Sequence, residues 1–108
     1  MSRKLKERTP LTIPQDSTES NIHTFDKKAM PRGFAISAPA ALTGTVTLYG
    51  YPLGSSTRRK IKSGGSAVTI AAGESEPLDM VAWERIQLVS SQAEAAAREF
   101  ELDELLEW

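Results

Sequence analysis

From Phe34 onward apolar residues recur at every second position, and a repeat of two marks a strand with one face buried and the other wet. Phe34, Ile36 and Ala38 alternate in this way. After a Pro39-Ala40-Ala41 turn, Val46 and Leu48 alternate with Thr45, Thr47 and Tyr49. Val68 and Ile70 repeat the pattern before the turn Ala71-Ala72-Gly73-Glu74-Ser75. A further strand runs from Val81 to Val89, with Trp83 and Arg85 on one parity and Glu84, Ile86 and Leu88 on the other. Between these runs, Gly50 to Lys62 holds Pro52, Gly54, Ser55 and Ser56 and reads as an exposed loop or a long hairpin tip. A parallel sheet needs helices between its strands, and the pattern has none there. The expected fold class is therefore all-β, a small antiparallel β-sandwich or open barrel.

The last segment carries two signals. Ser90-Ser91 offers a cap for a helix through the alanine-rich Gln92 to Ala97, whereas Phe100, Leu102, Leu106 and Trp108 keep strand parity with Glu99, Glu101 and Asp103 opposite. A helix would set Ala93, Ala97 and Phe100 against an acidic surface at Asp103 and Glu104, so a closing strand over Arg98 to Leu102 is preferred, with a helical turn at Asp103 to Leu106.

Residues 1–33 differ in kind. Prolines at 10, 14 and 31 interrupt them, and their apolar side chains, Leu5, Leu11, Ile13, Ile22 and Phe25, are scattered. Such a segment cannot bury enough apolar surface alone. The expected organisation is an extended N-terminal arm over 1–33 and a sandwich domain with an acidic C-terminal segment over 34–108. In that arrangement Leu11 and Ile13, on one side of an edge strand ended by Pro14, pair with a partner's sheet, and Ile22 and Phe25 act as apolar anchors. Trp108, beside Leu105 and Leu106, is a further interface anchor.

A chain of 108 residues supports at most one domain. It contains no cysteine, so a disulfide framework and a thiolate zinc site are excluded, and its single histidine, His23, rules out a multi-histidine metal centre within one chain. The basic start, Met1 to Arg8, is followed by no apolar run, which argues against a secretory signal and for a protein made in the cytoplasm. The net charge of −1 conceals a division: residues 1–73 hold 11 Lys/Arg against 4 Asp/Glu, and residues 74–108 hold 2 against 10. Such polarity either pairs the two halves inside one fold or joins the basic end of one copy to the acidic end of the next.

Chemistry-bearing candidates are few. His23 with Asp16, Glu19 or Asp26 has the composition of a general base and its orienting carboxylate, but it lies in the arm, where geometry is poorly fixed. Glu74, Glu76, Asp79 and Glu84 match no EF-hand spacing and read as a solvated turn. Gly64-Gly65 lacks the lysine and hydroxyl residue of a phosphate-binding loop. Arg58, Arg59, Lys60 and Lys62 form a compact basic run downstream of Tyr49 and Tyr51, the pattern of a small single-stranded nucleic-acid-binding β-barrel, although the acidic last third would repel phosphate. The reading preferred is a non-enzymatic protein with no cofactor, in which Arg58, Arg59 and Lys60 contact a protein partner.

The order Pro31-Arg32-Gly33-Phe34-Ala35-Ile36, Gly44-Thr45-Val46-Thr47-Leu48, Val68-Thr69-Ile70-Ala71-Ala72-Gly73-Glu74 and Glu84-Arg85-Ile86-Gln87-Leu88 resembles small β-sandwich structural proteins of tailed bacteriophages. These include capsid decoration or cement proteins and spike-base or fibre-base proteins. The resemblance implies a virion protein, most simply a cement protein that binds the major capsid protein or other virion subunits as an oligomer, with a spike-base, fibre-base or head-tail accessory role as the alternative. Many weak contacts would then act through avidity.

Overall fold

The computed structural model describes residues 3–5, 9–25, 33–52, 54–63, 65–79 and 83–107, with the backbone alone for 3–5, 9, 63, 78, 79 and 104–107. Every regular element among them is a strand: β1 (Arg3–Leu5), β2 (Thr9–Ile13), β3 (His23–Thr24), β4 (Gly33–Ser37), β5 (Val46–Pro52), β6 (Arg59–Lys60), β7 (Lys62–Ser63), β8 (Ser66–Ala67), β9 (Thr69–Ile70), β10 (Ser75–Asp79), β11 (Trp83–Ser90) and β12 (Arg98–Glu107). They form two antiparallel sheets. In the first, β12 is flanked on one side by β1 and β2 and on the other by β4, which in turn pairs with β10. In the second, β11 lies between β3 and β5, and β5 also carries β6 and β9. The β7–β8 hairpin stands apart as a small sheet of its own. The architecture is an all-β sandwich of two open sheets, not a closed barrel.

The alternation read from the sequence is what the two layers bury. Phe34 and Ile36 from β4, Val46 and Leu48 from β5, Ile86 and Leu88 from β11, and Phe100 and Leu102 from β12 meet in one core. Their strand neighbours Thr47, Tyr49, Glu99, Glu101 and Asp103 fall on the opposite parity and so face away from it. β12 continues to Glu107, and the helical turn expected at Asp103 to Leu106 does not form, because those positions pair with β4 and β1. The alanine-rich stretch before β12 is not helical either. The Glu94 N–H donates to the Ser17 carbonyl at 3.0 Å, and the Glu94 carbonyl accepts from the Asp16 N–H at 2.8 Å, so a helical ladder has lost both groups.

The boundary expected at residue 33 is not a structural one. β2 runs antiparallel to β12, with Ile13 opposite Arg98 and Leu11 opposite Phe100, and β3 pairs with β11. Leu11 and Ile13 are 0% exposed and Phe25 is 1% exposed, all three inside the chain's own core. Phe25 packs against Phe34 with ring centroids 5.4 Å apart. The segment has no core of its own, as its composition requires, but it shares that of residues 34–107. Leu11, Ile13 and Phe25 are thus not presented to a partner by the folded chain.

A β-bulge sets the position of Trp83. Trp83 pairs with Pro52 and Arg85 with Tyr51, so Glu84 is an extra residue in β11. The shift takes Trp83 off the parity it would share with Arg85 and packs it against the core over Gly50. A Cβ at Gly50 would lie 2.7 Å from Trp83 Cδ2 and 2.9 Å from Ile61 Cδ1. Gly50→Ala is therefore expected to cost about 1–3 kcal/mol through overpacking. Urea unfolding followed by Trp83 fluorescence measures the loss, and an unchanged midpoint would contradict this packing.

Candidate interaction surface

Strand parity places Tyr49 and Tyr51 of β5 on the outer face of the second sheet, next to Arg85 and Gln87 of β11. The basic run folds back onto this face. The Arg58 guanidinium lies over the Tyr49 ring, 4.9 Å from its centroid, and that of Arg85 lies over the Tyr51 ring at 4.4 Å. Gln87 ties the two stacks together: its Oε1 accepts from Arg58 Nη1 at 2.8 Å and from the Tyr51 hydroxyl at 3.3 Å, and its Nε2 donates to the Ser20 carbonyl. Arg58 also pairs with Glu19 at 2.8 Å, and Arg85 donates to the Ser55 carbonyl at 3.0 Å. Exposed ion pairs contribute little to stability, so the chief effect of this ladder is to hold two guanidinium groups in fixed orientations.

Arg59 and Lys60 on β6 and Lys62 on β7 extend the cationic surface beyond the ladder, and all three are exposed. Lys60 lies opposite Tyr49 on the same face. Of the expected contact residues, Arg58 and Lys60 share one surface with Tyr49, whereas Arg59, opposite Gly50, is exposed on the other parity of β6. Ile22, just before the edge strand β3, is 42% exposed, the largest exposure of a large apolar side chain among the described residues. Trp108 lies outside the described residues. His23 on β3 sets its ring edge-on to Phe25, with centroids 5.1 Å apart. For nucleic acid the geometry is unfavourable. Tyr51 is buried, and each tyrosine already has a guanidinium over its ring where a base would stack.

Sequence reasoning missed Glu94. Its carboxylate is fully buried and accepts from the backbone N–H of Thr43 (2.8 Å) and Gly44 (2.9 Å), the Ser90 hydroxyl (2.7 Å) and Arg98 Nε (2.9 Å). Burial alone raises this carboxyl, but the four donors outweigh it and hold its pKa at about 2. The side chain fastens the loop before β5 to the connection between β11 and β12, while its backbone fastens both to the turn at residues 14–17. The available signal was an isolated Glu four residues before Arg98 among alanines, which also fits an exposed helical pair.

The described residues thus define a small two-layer antiparallel β-domain with a cationic, tyrosine-bearing outer face. No protein-family model matches the sequence, and no curated protein matches it. Among solved structures the fold is similar to a chain of Bacillus endospore appendages, described as a novel family of disulfide-linked pili. The TM-score is 0.50 at 17% identity, over 98% of this chain and 90% of that one. The likeness is one of fold. It leaves the phage resemblance supported only at the level of a small all-β domain.

Proposed function

We propose that this chain is a non-enzymatic structural subunit that works by assembling into a larger polymer. The observation that carries this reading is the correspondence of nearly the whole chain with a pilus protein, 98% of one and 90% of the other. The appendage protein is described as disulfide-linked, whereas this chain has no cysteine, so its own residues would hold a polymer together without disulfides. A surface of oriented Arg and Tyr side chains suits that task, since both residue types are enriched at protein interfaces. Sedimentation and negative-stain microscopy of the purified chain over a range of concentrations test the reading. Concentration-dependent oligomers or filaments are expected, and a monomer throughout would overturn it.

The finer reading, a capsid decoration or cement protein of a phage-like particle, draws on the strand motifs. The Thr45 to Leu48 run ends in β5, the Ala71 to Glu74 turn follows β9, and Glu84 to Leu88 lies in β11. That role differs in one measurable respect: the chain would sediment with its particle and would not form filaments of its own.

A further inference from the structure

We infer that copies of this chain assemble by strand exchange, the segment carrying β2 and β3 of one copy seating in the core of the next, in the place it holds here in its own. The inference rests on the assembly reading above and names the contact, whose occupant is a second copy of this chain.

The exterior of the folded chain offers little to build on. Among the described residues the exposed large apolar side chains come down to Ile22. Strand addition is obstructed at the edges of the first sheet. The Thr12 N–H points away from β12 and donates to Asn21 Oδ1 at 2.8 Å. Backbone groups alternate along a strand, so positions 10 and 14 also point outward, and both are proline, which has no N–H to offer. On β10, the Ala38 N–H reaches the Glu74 carbonyl at 2.8 Å, which turns positions 74 and 76 toward β4 and position 77, again a proline, outward. The edges of the second sheet, β3, β6 and β9, are strands of two residues each.

The interior contact, by contrast, is extensive. β2 pairs with β12 from Ile13 opposite Arg98 to Thr9 opposite Leu102, and β3 pairs with β11. Beside β3, the Ser20 N–H donates to the Leu88 carbonyl at 2.9 Å and the Ser90 N–H to the Thr18 carbonyl at 2.7 Å. Leu11, Ile13 and Phe25 complete the core. All of this joins residues 9–25 to residues beyond 33, and residues 26–32 are the covalent connection between the two parts. Seven residues drawn out reach at most about 25 Å. The shorter extents of the fold are 27 and 25 Å, so a copy lying alongside is within reach. Exchange remakes between copies the contacts seen within one, and so needs no complementarity beyond that already on view. Its balance is set by the connection and by protein concentration, because a short connection holds the chain's own segment at an effective concentration in the millimolar range. A copy that gives its segment to one neighbour and takes one from another extends head to tail.

A chain without cysteine allows a clean test. Thr12 lies opposite Glu99, and because the Thr12 N–H points away from β12 the pair is a non-hydrogen-bonded one, with Cα atoms about 4.5 Å apart, which a disulfide can bridge. Full-length Thr12→Cys and Glu99→Cys chains, each checked for folding by urea titration under reducing conditions, are mixed, refolded from urea at high protein concentration and oxidised. Exchange is expected to give a covalent dimer on a non-reducing gel whose linked peptides, identified by mass spectrometry, join positions 12 and 99. The Thr12→Cys/Glu99→Cys double variant, refolded the same way, should give a ladder of covalent oligomers. Oxidised as a dilute monomer it is locked on its own segment and should lose association. Wild-type assembly without a link between positions 12 and 99 of different copies, or assembly of the locked chain like the wild type, would overturn the exchange and leave the assembly reading standing. A wild type that stays monomeric at every concentration, refolded or not, removes the assembly reading and the exchange with it.

Discussion

Replacing Glu94 by alanine is expected to destabilise the domain by about 3–5 kcal/mol, because it leaves the buried donors around its carboxylate without an acceptor and strips Arg98 of its counter-charge. Chemical denaturation reads this as a lowered midpoint with an unchanged slope. Glu94→Gln keeps the volume but loses the charge, and should fall between alanine and wild type. The same side chain imposes a pH dependence. Its folded pKa of about 2 lies below the ordinary 4.5, so the folded state favours the ionised form. The resulting stabilisation is complete above about 4.5 and is lost as pH falls from there through about 2. Its size is about 3 kcal/mol, from a difference of roughly 2.5 pKa units. Subtracting the acid profile of Glu94→Gln from that of the wild type isolates it. If the two profiles run parallel from neutral pH down to 2, the buried carboxylate is not the group that titrates.

Removing residues 1–25 should abolish folding altogether. The deletion takes away β1, β2 and β3 together with Leu11, Ile13 and Phe25, three side chains almost fully buried in the core. Each core truncation of this kind costs about 3 kcal/mol, and the sum approaches the roughly 5–15 kcal/mol that holds a small domain together. Leu11→Ala is the milder form, with an expected loss of about 3 kcal/mol in urea denaturation. A dispensable arm predicts the opposite: a truncated chain with native circular dichroism and dispersed amide resonances. Observation of that state would show that residues 34–107 form their core without the N-terminal strands.

Strand character was legible where neighbours in sequence encode it. The alternation of Phe34 and Ile36, of Val46 and Leu48, of Ile86 and Leu88, and of Phe100 and Leu102 placed these side chains on the buried face of strands, and the structure buries all of them. The basic run with its upstream tyrosines was legible as a surface feature. That Arg58 stacks on Tyr49 and pairs with Glu19 was not, because those contacts join three separate segments.

By itself, then, the sequence determined the all-β class, the membership of most of the core and the absence of any disulfide, since a period of two and a residue count are local properties of the chain. Tertiary structure alone decided where β2 and β3 belong. Leu11 and Ile13 look like an orphan edge strand until Phe100 and Arg98, at the far end of the chain, are set opposite them. It also put the extra residue into β11 that packs Trp83 against the core, and made Glu94 a buried acceptor of four donors. The physical reason is common to all three: strand pairing and the satisfaction of buried charge are settled by partners distant in sequence, and no local pattern specifies which partner will arrive.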